Sequence, residues 1–307
     1  MKQQDWRGVI PAITTPFTSD DKIDHNVLAR HADWMVGHGC RGIVALGSLG
    51  EGGSLDPDEK REVLSTLVRA VGDRVPVVAG VAALSTRAAV RLAMEAADTG
   101  CRGLMVLPPY VYRGSWEELR GHVGAVMSAT GLSCLLYNNP IAYGTDFSPG
   151  MIAELASEHE NMHAVKESSA DVRRVTAIRA SLGARVSILV GVDDLLVEGV
   201  AAGAVGWIAG LVNAFPEESV RLFNLAANGR WEEADRLYQW FLPLLRMDVV
   251  PEFVHLIKLV QQEVGWGSEQ VRGPRRILTG QERGRAIQVL RGAMAQRSVA
   301  EGRDRAP

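Results

Sequence analysis

The chain is predicted to be an α/β protein, a (β/α)8 TIM barrel with a C-terminal helical extension, on three observations. Short apolar runs of four to seven residues alternate with amphipathic stretches of 12 to 16, the pattern of βα units around a parallel sheet. Eight such runs can be counted before the pattern stops. After the eighth, helical stripes follow one another with no strand between them.

The eight candidate strands are Val9–Thr14, Gly42–Leu46, Val75–Gly80, Gly103–Leu107, Ser133–Tyr137, His163–Lys166, Val186–Gly191 and Val205–Gly210. Their Val, Ile and Leu content suits strands buried on both faces. The first runs into Thr14-Thr15-Pro16-Phe17 rather than a glycine-rich dinucleotide turn, which argues against an open Rossmann sheet. Asp56-Pro57-Asp58-Glu59 supplies a cap, a first-turn proline and acids at the positive end of a helix. Ser115-Trp116-Glu117-Glu118 fits a capping box, and Ser148-Pro149 opens another helix. Gly39, Gly72 and Gly100 fall where helices should stop. Pro216–Asn228 closes the barrel. Trp231–Arg246, Pro251–Val264 and Gln281–Gln296 read as three more helices, with apolar stripes such as Leu237, Phe241, Leu244 and Leu245 that mean packing. The expected organisation is a barrel over residues 1–229 carrying the active site, a three-helix extension over 230–298 and a disordered tail over 299–307.

Composition narrows the function classes. With 33 basic and 36 acidic residues, a net charge of −3 and no basic block, no nucleic-acid partner is expected. No uncharged apolar run of about 18 residues exists, so no membrane span is expected either. The start, from Met1 to Arg7, lacks the apolar core of a signal peptide. Cys40, Cys101 and Cys134 have no metal-like spacing and sit in or beside apolar runs, as buried reduced thiols do. A cytoplasmic location follows. The seven histidines show no HxH or HExxH spacing, which leaves the acids of Gly191-Val192-Asp193-Asp194 as helix caps rather than metal ligands. No G-x-S-x-G elbow marks a serine hydrolase.

Chemistry in such a barrel gathers at the C-terminal ends of the strands. The sixth strand ends in Lys166, and lysine forms Schiff bases with carbonyl substrates once its charge is suppressed. The fifth ends in Tyr137-Asn138-Asn139-Pro140. Neighbouring strands lie about 4.8 Å apart, so Tyr137 and Lys166 share a pocket if both point inward. Burial there lowers the lysine pKa, and the phenol can shuttle protons. The second strand ends in Gly47-Ser48-Leu49-Gly50-Glu51-Gly52-Gly53, where Ser48 offers a hydroxyl and open amides offer a carboxylate site.

Together these residues resemble the dihydrodipicolinate synthase and N-acetylneuraminate lyase family of Schiff-base class I aldolases. The resemblance covers about residues 7–295 and rests on Gly8–Phe17 (GVIPAITTPF), Gly47–Glu51 (GSLGE), Tyr137–Pro140 (YNNP), Lys166-Glu167 and Gly191–Asp194 (GVDD). It implies that Lys166 is the Schiff-base lysine, Tyr137 the proton relay, and Ser48 the hydroxyl partner of Tyr137. It implies a substrate site formed by the Ser48 and Leu49 amides with Asn139 and Ile208. It also implies no metal or organic cofactor, a small 2-oxo acid substrate, and a homotetramer built as a dimer of dimers.

Three departures bear on the substrate. Where dihydrodipicolinate synthases carry a carboxylate-gripping arginine, this chain has Ala142. The second hydroxyl of the glycine-rich turn is replaced by Leu49. The tyrosine lent across the dimer interface is matched by Val111, with Tyr110 and Tyr112 on either side. The resemblance therefore leads toward a lyase, dehydratase or deaminase of a 2-oxo acid or cyclic imino acid, such as a 1-pyrroline-4-hydroxy-2-carboxylate deaminase. The alternatives are 4-hydroxy-tetrahydrodipicolinate synthase (pyruvate plus aspartate semialdehyde), a sugar-acid aldolase, and a catalytically silent barrel that binds a small acid.

Overall fold

A computed structural model describes residues 1–110 and 112–300, with the backbone alone from 298 onward. Val111 and residues 301–307, most of the expected tail, lie outside the described residues.

Eight parallel strands form the core: β1 Gly8–Pro11, β2 Ile43–Ala45, β3 Val77–Val81, β4 Gly103–Val106, β5 Ser133–Asn138, β6 Met162–Glu167, β7 Ser187–Val190 and β8 Gly206–Ala209. Their spatial order is β1-β8-β7-β6-β5-β4-β3-β2. The ring closes through the bridge between Ala12 and Val44, supported by Ile13 N–H donating to the Val44 carbonyl at 2.9 Å. All eight predicted strands are present: β2, β4, β7 and β8 are shorter than predicted, β1 and β3 are shifted, and β5 and β6 run on to Asn138 and Glu167.

The helices are α1 His25–Gly37, α2 Pro57–Val71, α3 Thr86–Thr99, α4 Trp116–Ser128, α5 Pro140–Tyr143, α6 Pro149–Glu158, α7 Arg173–Leu182, α8 Leu196–Ala202, α9 Pro216–Ala227, α10 Trp231–Leu245, α11 Phe253–Glu263 and α12 Gly280–Ala300. The predicted caps form. Asp56 and Glu59 make a capping box on α2, Ser115 and Glu118 one on α4, and Ser148 Oγ accepts from Met151 N–H. Gly100 ends α3 at φ +98°, a left-handed conformation that suits glycine. One capping expectation is corrected. Neither Asp193 nor Asp194 caps α8, whose N-cap is Leu195 with no side-chain bond. Among the described residues no helix is long and apolar enough to cross a membrane.

The segment after β8 does more than pack. Lys258 of α11 is 1 % exposed and donates to Glu51 Oε1 at 2.5 Å and to the Gln270 carbonyl at 2.6 Å. Arg272 N–H donates to Glu51 Oε2 at 3.0 Å, and the Lys258 ammonium lies 4.3 Å from the Phe17 ring centre. Glu51 thus anchors the turn after β2 to the C-terminal helices. Thr15 Oγ1 braces the same turn by donating to the Gly50 carbonyl at 2.7 Å. Burial pushes the Lys258 ammonium down to about 8 against the pull of Glu51.

Breaking a buried ion pair leaves an uncompensated charge and typically costs about 3–5 kcal/mol. Glu51→Gln is therefore expected to lose stability on that scale in urea unfolding, and Lys258→Met in the Glu51→Gln background to recover part of it. A loss below about 1 kcal/mol would mean that the turn does not depend on this pair.

Candidate active site

Lys166 is the penultimate residue of β6, and the register sets it beside Tyr137 of β5 and Leu189 of β7. It is only 6 % exposed. Its Nζ stands 4.3 Å from the Tyr137 ring centre. Its stem lies across Gly191, where a Cβ would come within 2.6 Å of Lys166 Cε. Glycine at 191 is what lets the lysine reach the mouth. Burial lowers the Lys166 pKa, and the nearby Asp248, Tyr143 and Asp193 oppose it.

Tyr137 is 5 % exposed. Its hydroxyl accepts from Asn139 Nδ2 at 3.0 Å. Burial raises its pKa, with the Asn139 hydrogen bond opposing. The strand ends beneath are braced: Asn138 Nδ2 donates to Glu167 Oε2 at 3.1 Å, and Phe147 N–H donates to Asn138 Oδ1 at 2.9 Å.

The turn after β2 carries Ser48 and Leu49. It runs between two non-glycine residues in the left-handed region, Leu46 at φ +61° and Glu51 at φ +53°, a strain that persists only where surroundings impose it. Ile13 fixes its depth, since a Cβ at Gly50 would come within 2.8 Å of the Ile13 carbonyl oxygen. Glu51 N–H donates back to the Ser48 carbonyl at 3.1 Å, and Gly52 N–H to the Gly47 carbonyl at 3.2 Å. The Ser48 and Leu49 amides donate to no acceptor among the described residues.

The predicted residues divide as follows. Lys166, Tyr137 and Asn139 form one contiguous group. Ser48 reaches it through a different residue from the one expected: its Oγ is hydrogen-bonded to Tyr143, not Tyr137. The Tyr143 ring meets Tyr137 edge-on at 5.8 Å. Leu49 contributes backbone only, its side chain being 3 % exposed in the core. Ile208 is buried in β8 opposite Ile10, with only apolar atoms in its side chain.

Three groups were not among the predicted site residues. Tyr143 was visible only as part of Ile141-Ala142-Tyr143-Gly144. Asp193 is 0 % exposed and accepts from Trp207 Nε1 at 2.9 Å, Leu211 N–H at 2.8 Å and Gly210 N–H at 3.1 Å. Instead of capping a helix it clamps the loop after β8, and burial raises its carboxyl to about 6. Asp248 comes from the segment after α10 and rests on Gly210, where it would collide with any Cβ. Burial raises its carboxyl well above the usual range, Asp193 adds to this, and Lys166 opposes it. No periodicity links Asp248 to β6, so no sequence signal announced it. Among the described residues no His, Cys, Asp and Glu cluster is arranged to hold a metal ion.

Comparison with known proteins agrees with this geometry. The sequence profile of the dihydrodipicolinate synthetase family matches residues 5–292. The 4-hydroxy-tetrahydrodipicolinate synthase of Methanocaldococcus jannaschii is 32% identical over 241 residues, covering 78% of this chain and 82% of that one. The enzyme of the same name from Agrobacterium fabrum is 30% identical over 269 residues, covering 88% and 92%. Among solved structures, dihydrodipicolinate synthase from Aquifex aeolicus superposes with a TM-score of 0.90 at 27% identity, covering 94% and 98%. A prophage protein of the family from E. coli K12, solved in complex with pyruvate, gives 0.88 at 27% identity with the same coverage. The chain belongs to the dihydrodipicolinate synthetase family and is a (β/α)8-barrel Schiff-base lyase.

Proposed function

We propose that Lys166 forms an iminium with the 2-oxo carbon of a small acid, with pyruvate as the leading substrate, and that the resulting enamine adds to aspartate semialdehyde as in a 4-hydroxy-tetrahydrodipicolinate synthase. The observation that carries the iminium step is the buried Lys166 amine over the Tyr137 ring. Burial disfavours the ammonium and leaves a nucleophile. The free Ser48 and Leu49 amides suit the substrate carboxylate. Tyr137, whose proton burial holds in place, gives a proton to the departing hydroxyl so that it leaves as water and the C=N bond forms. The phenolate then takes a proton from C3, which yields the enamine.

The names of the relatives support the synthase branch over the deaminase branch that Ala142 first suggested. A second observation weakens the argument from Ala142. The Arg113 guanidinium packs on Gly144, with Nη2 2.5 Å from where a Cβ would sit. An arginine thus stands two residues from the vacant position, on the same rim, and can grip a carboxylate in two-pronged fashion. The 1-pyrroline-4-hydroxy-2-carboxylate deaminase remains the second reading, favoured by the small Ala142, and a sugar-acid aldolase the third. A lyase family favours catalysis over a silent binder. A homotetramer is the assembly the family resemblance implies, and it would weigh four times the 33.2 kDa chain. The three free, buried cysteines support a reducing, cytoplasmic setting.

Borohydride with pyruvate, and separately with 1-pyrroline-4-hydroxy-2-carboxylate, should fix an adduct on the Lys166 peptide, read by mass spectrometry, and Lys166→Ala should abolish it. No adduct from either would remove the iminium reading. The trapping rate should rise with pH and level off at a midpoint below that of a free lysine, about 10.4. The sign follows from burial: a lowered folded pKa makes protonation of Lys166 unfavourable, so both the nucleophile and this group's contribution to stability fade as pH falls through that midpoint. Arg113→Ala should raise KM for aspartate semialdehyde about 10-fold or more while pyruvate trapping is unchanged. An unchanged KM would return the vacancy at 142 to its first meaning and favour the deaminase.

A further inference from the structure

Tyr143 is held in place by more structure than a rim residue needs. It ends α5, a helix of four residues between a proline and a left-handed glycine, Gly144 at φ +68°. Asn139 caps that helix, its Oδ1 accepting from Ala142 N–H at 3.0 Å, while its Nδ2 donates to Tyr137 at 3.0 Å. One amide side chain therefore sets the position of both tyrosines. The Tyr143 hydroxyl is bonded to Ser48 Oγ. Its ring lies edge-on to Tyr137 at 5.8 Å and tilted to Tyr110 at 6.4 Å. Burial raises its pKa, with Tyr137 adding to this and Ser48 and Lys166 opposing. A phenol bonded to a serine, beside a second phenol and a buried amine, is a chain of exchangeable protons that leads from the reaction centre toward the rim.

We infer that Tyr143 is the relay residue of this site, passing protons between Tyr137, which its ring meets, and Ser48, to which its hydroxyl is bonded, so that a single chain holds the whole hydroxyl set: Tyr137, Tyr143 and Ser48. This rests on the Lys166 iminium reading and adds a residue to it. Atoms balance without a further reactant. Tyr137 loses a proton to the departing hydroxyl and regains one from C3. A proton that leaves Tyr137 for solvent, or returns to it, travels by way of the Tyr143–Ser48 hydroxyl pair. Tyr143 touches no reacting atom, so it acts on the rate of proton exchange and not on formation of the imine.

Deuterium uptake into the methyl group of pyruvate in D2O, followed by proton NMR across pH, reads enamine formation without a second substrate, and borohydride trapping reads the imine alone. Tyr143→Phe is expected to slow uptake at least about 10-fold, within the range of general acid–base effects, while trapping survives. Because Tyr143 and Ser48 act in series, the double variant Ser48→Ala/Tyr143→Phe should be no slower than the slower single variant. Tyr110→Phe should remain within about twofold of the unsubstituted chain. Uptake unchanged in Tyr143→Phe, or singles whose effects multiply in the double, would overturn the relay. Should Tyr143→Phe fail to fold, Ser48→Ala tests the same link with less change in packing, and unchanged uptake there overturns it equally. Absence of both uptake and trapping in the unsubstituted chain would overturn the iminium reading and the relay together, a pattern distinct from the loss of the relay alone.

Discussion

Taking the Lys166 amine out of water is the constraint on which the rest of the mouth depends. An isolated ammonium in the interior costs several kcal/mol even after relaxation. The chain answers by favouring the neutral amine and by offering a ring face and carboxyls that soften the charge when it does form. Those carboxyls are themselves displaced upward by burial, Asp193 to about 6 and Asp248 well above the usual carboxylate range. The outcome is a pocket in which burial works against the charged form of each of these groups. In it, small shifts of a proton are worth more than they are in water. Gly191 and Gly210 are the steric side of the same constraint: one clears a path for the lysine stem, the other for Asp248.

The barrel was legible because its signals are local and repeated. Eight apolar runs and the caps at Asp56, Ser115 and Ser148 each depend on a few neighbouring residues, and each formed where the spacing placed it. Strand ends were less legible, because the last residues of a run such as Val9–Thr14 leave the ladder to bond elsewhere. Thr14, whose hydroxyl donates to Gln261 Oε1 at 2.9 Å, is one example.

The site was legible where adjacency in the sheet is enforced by adjacency in sequence order. Tyr137 and Lys166 end consecutive strands, and a parallel register does the rest. It was illegible where partners come from far along the chain. Asp248 reaches β8 from beyond α10, and Lys258 reaches Glu51 across 207 positions. Asp193 misled in a different way. An aspartate ahead of a helix most often caps it, but this one turns inward to three donors on the neighbouring strand and loop, which offer it more hydrogen bonds than a helix end would.

The two ends of the barrel are held in different ways. At the floor, Arg185 donates to the carbonyls of Met162, Ala156, His159 and Glu160 at 2.8, 2.9, 3.0 and 3.3 Å. It satisfies chain ends that would otherwise lie unpaired around the end of α6. Loss of the guanidinium would leave those carbonyls without this donor. At the rim, α5 is too short to stabilise itself. It exists because Asn139 caps its start, Pro140 fixes its first residue and Gly144 turns the chain at its end. Between these ends, the Ala142 and Tyr143 amides bond Asn139, Tyr143 also bonds Ser48, and the Ile141 and Ala142 side chains stand exposed. An arginine can be absent from position 142 and a tyrosine can face Ser48 from position 143 with no change to the strands below. The rim element is held by its caps and by the Tyr143–Ser48 bond, so its exposed residues 141 and 142 can vary without disturbing the strands below.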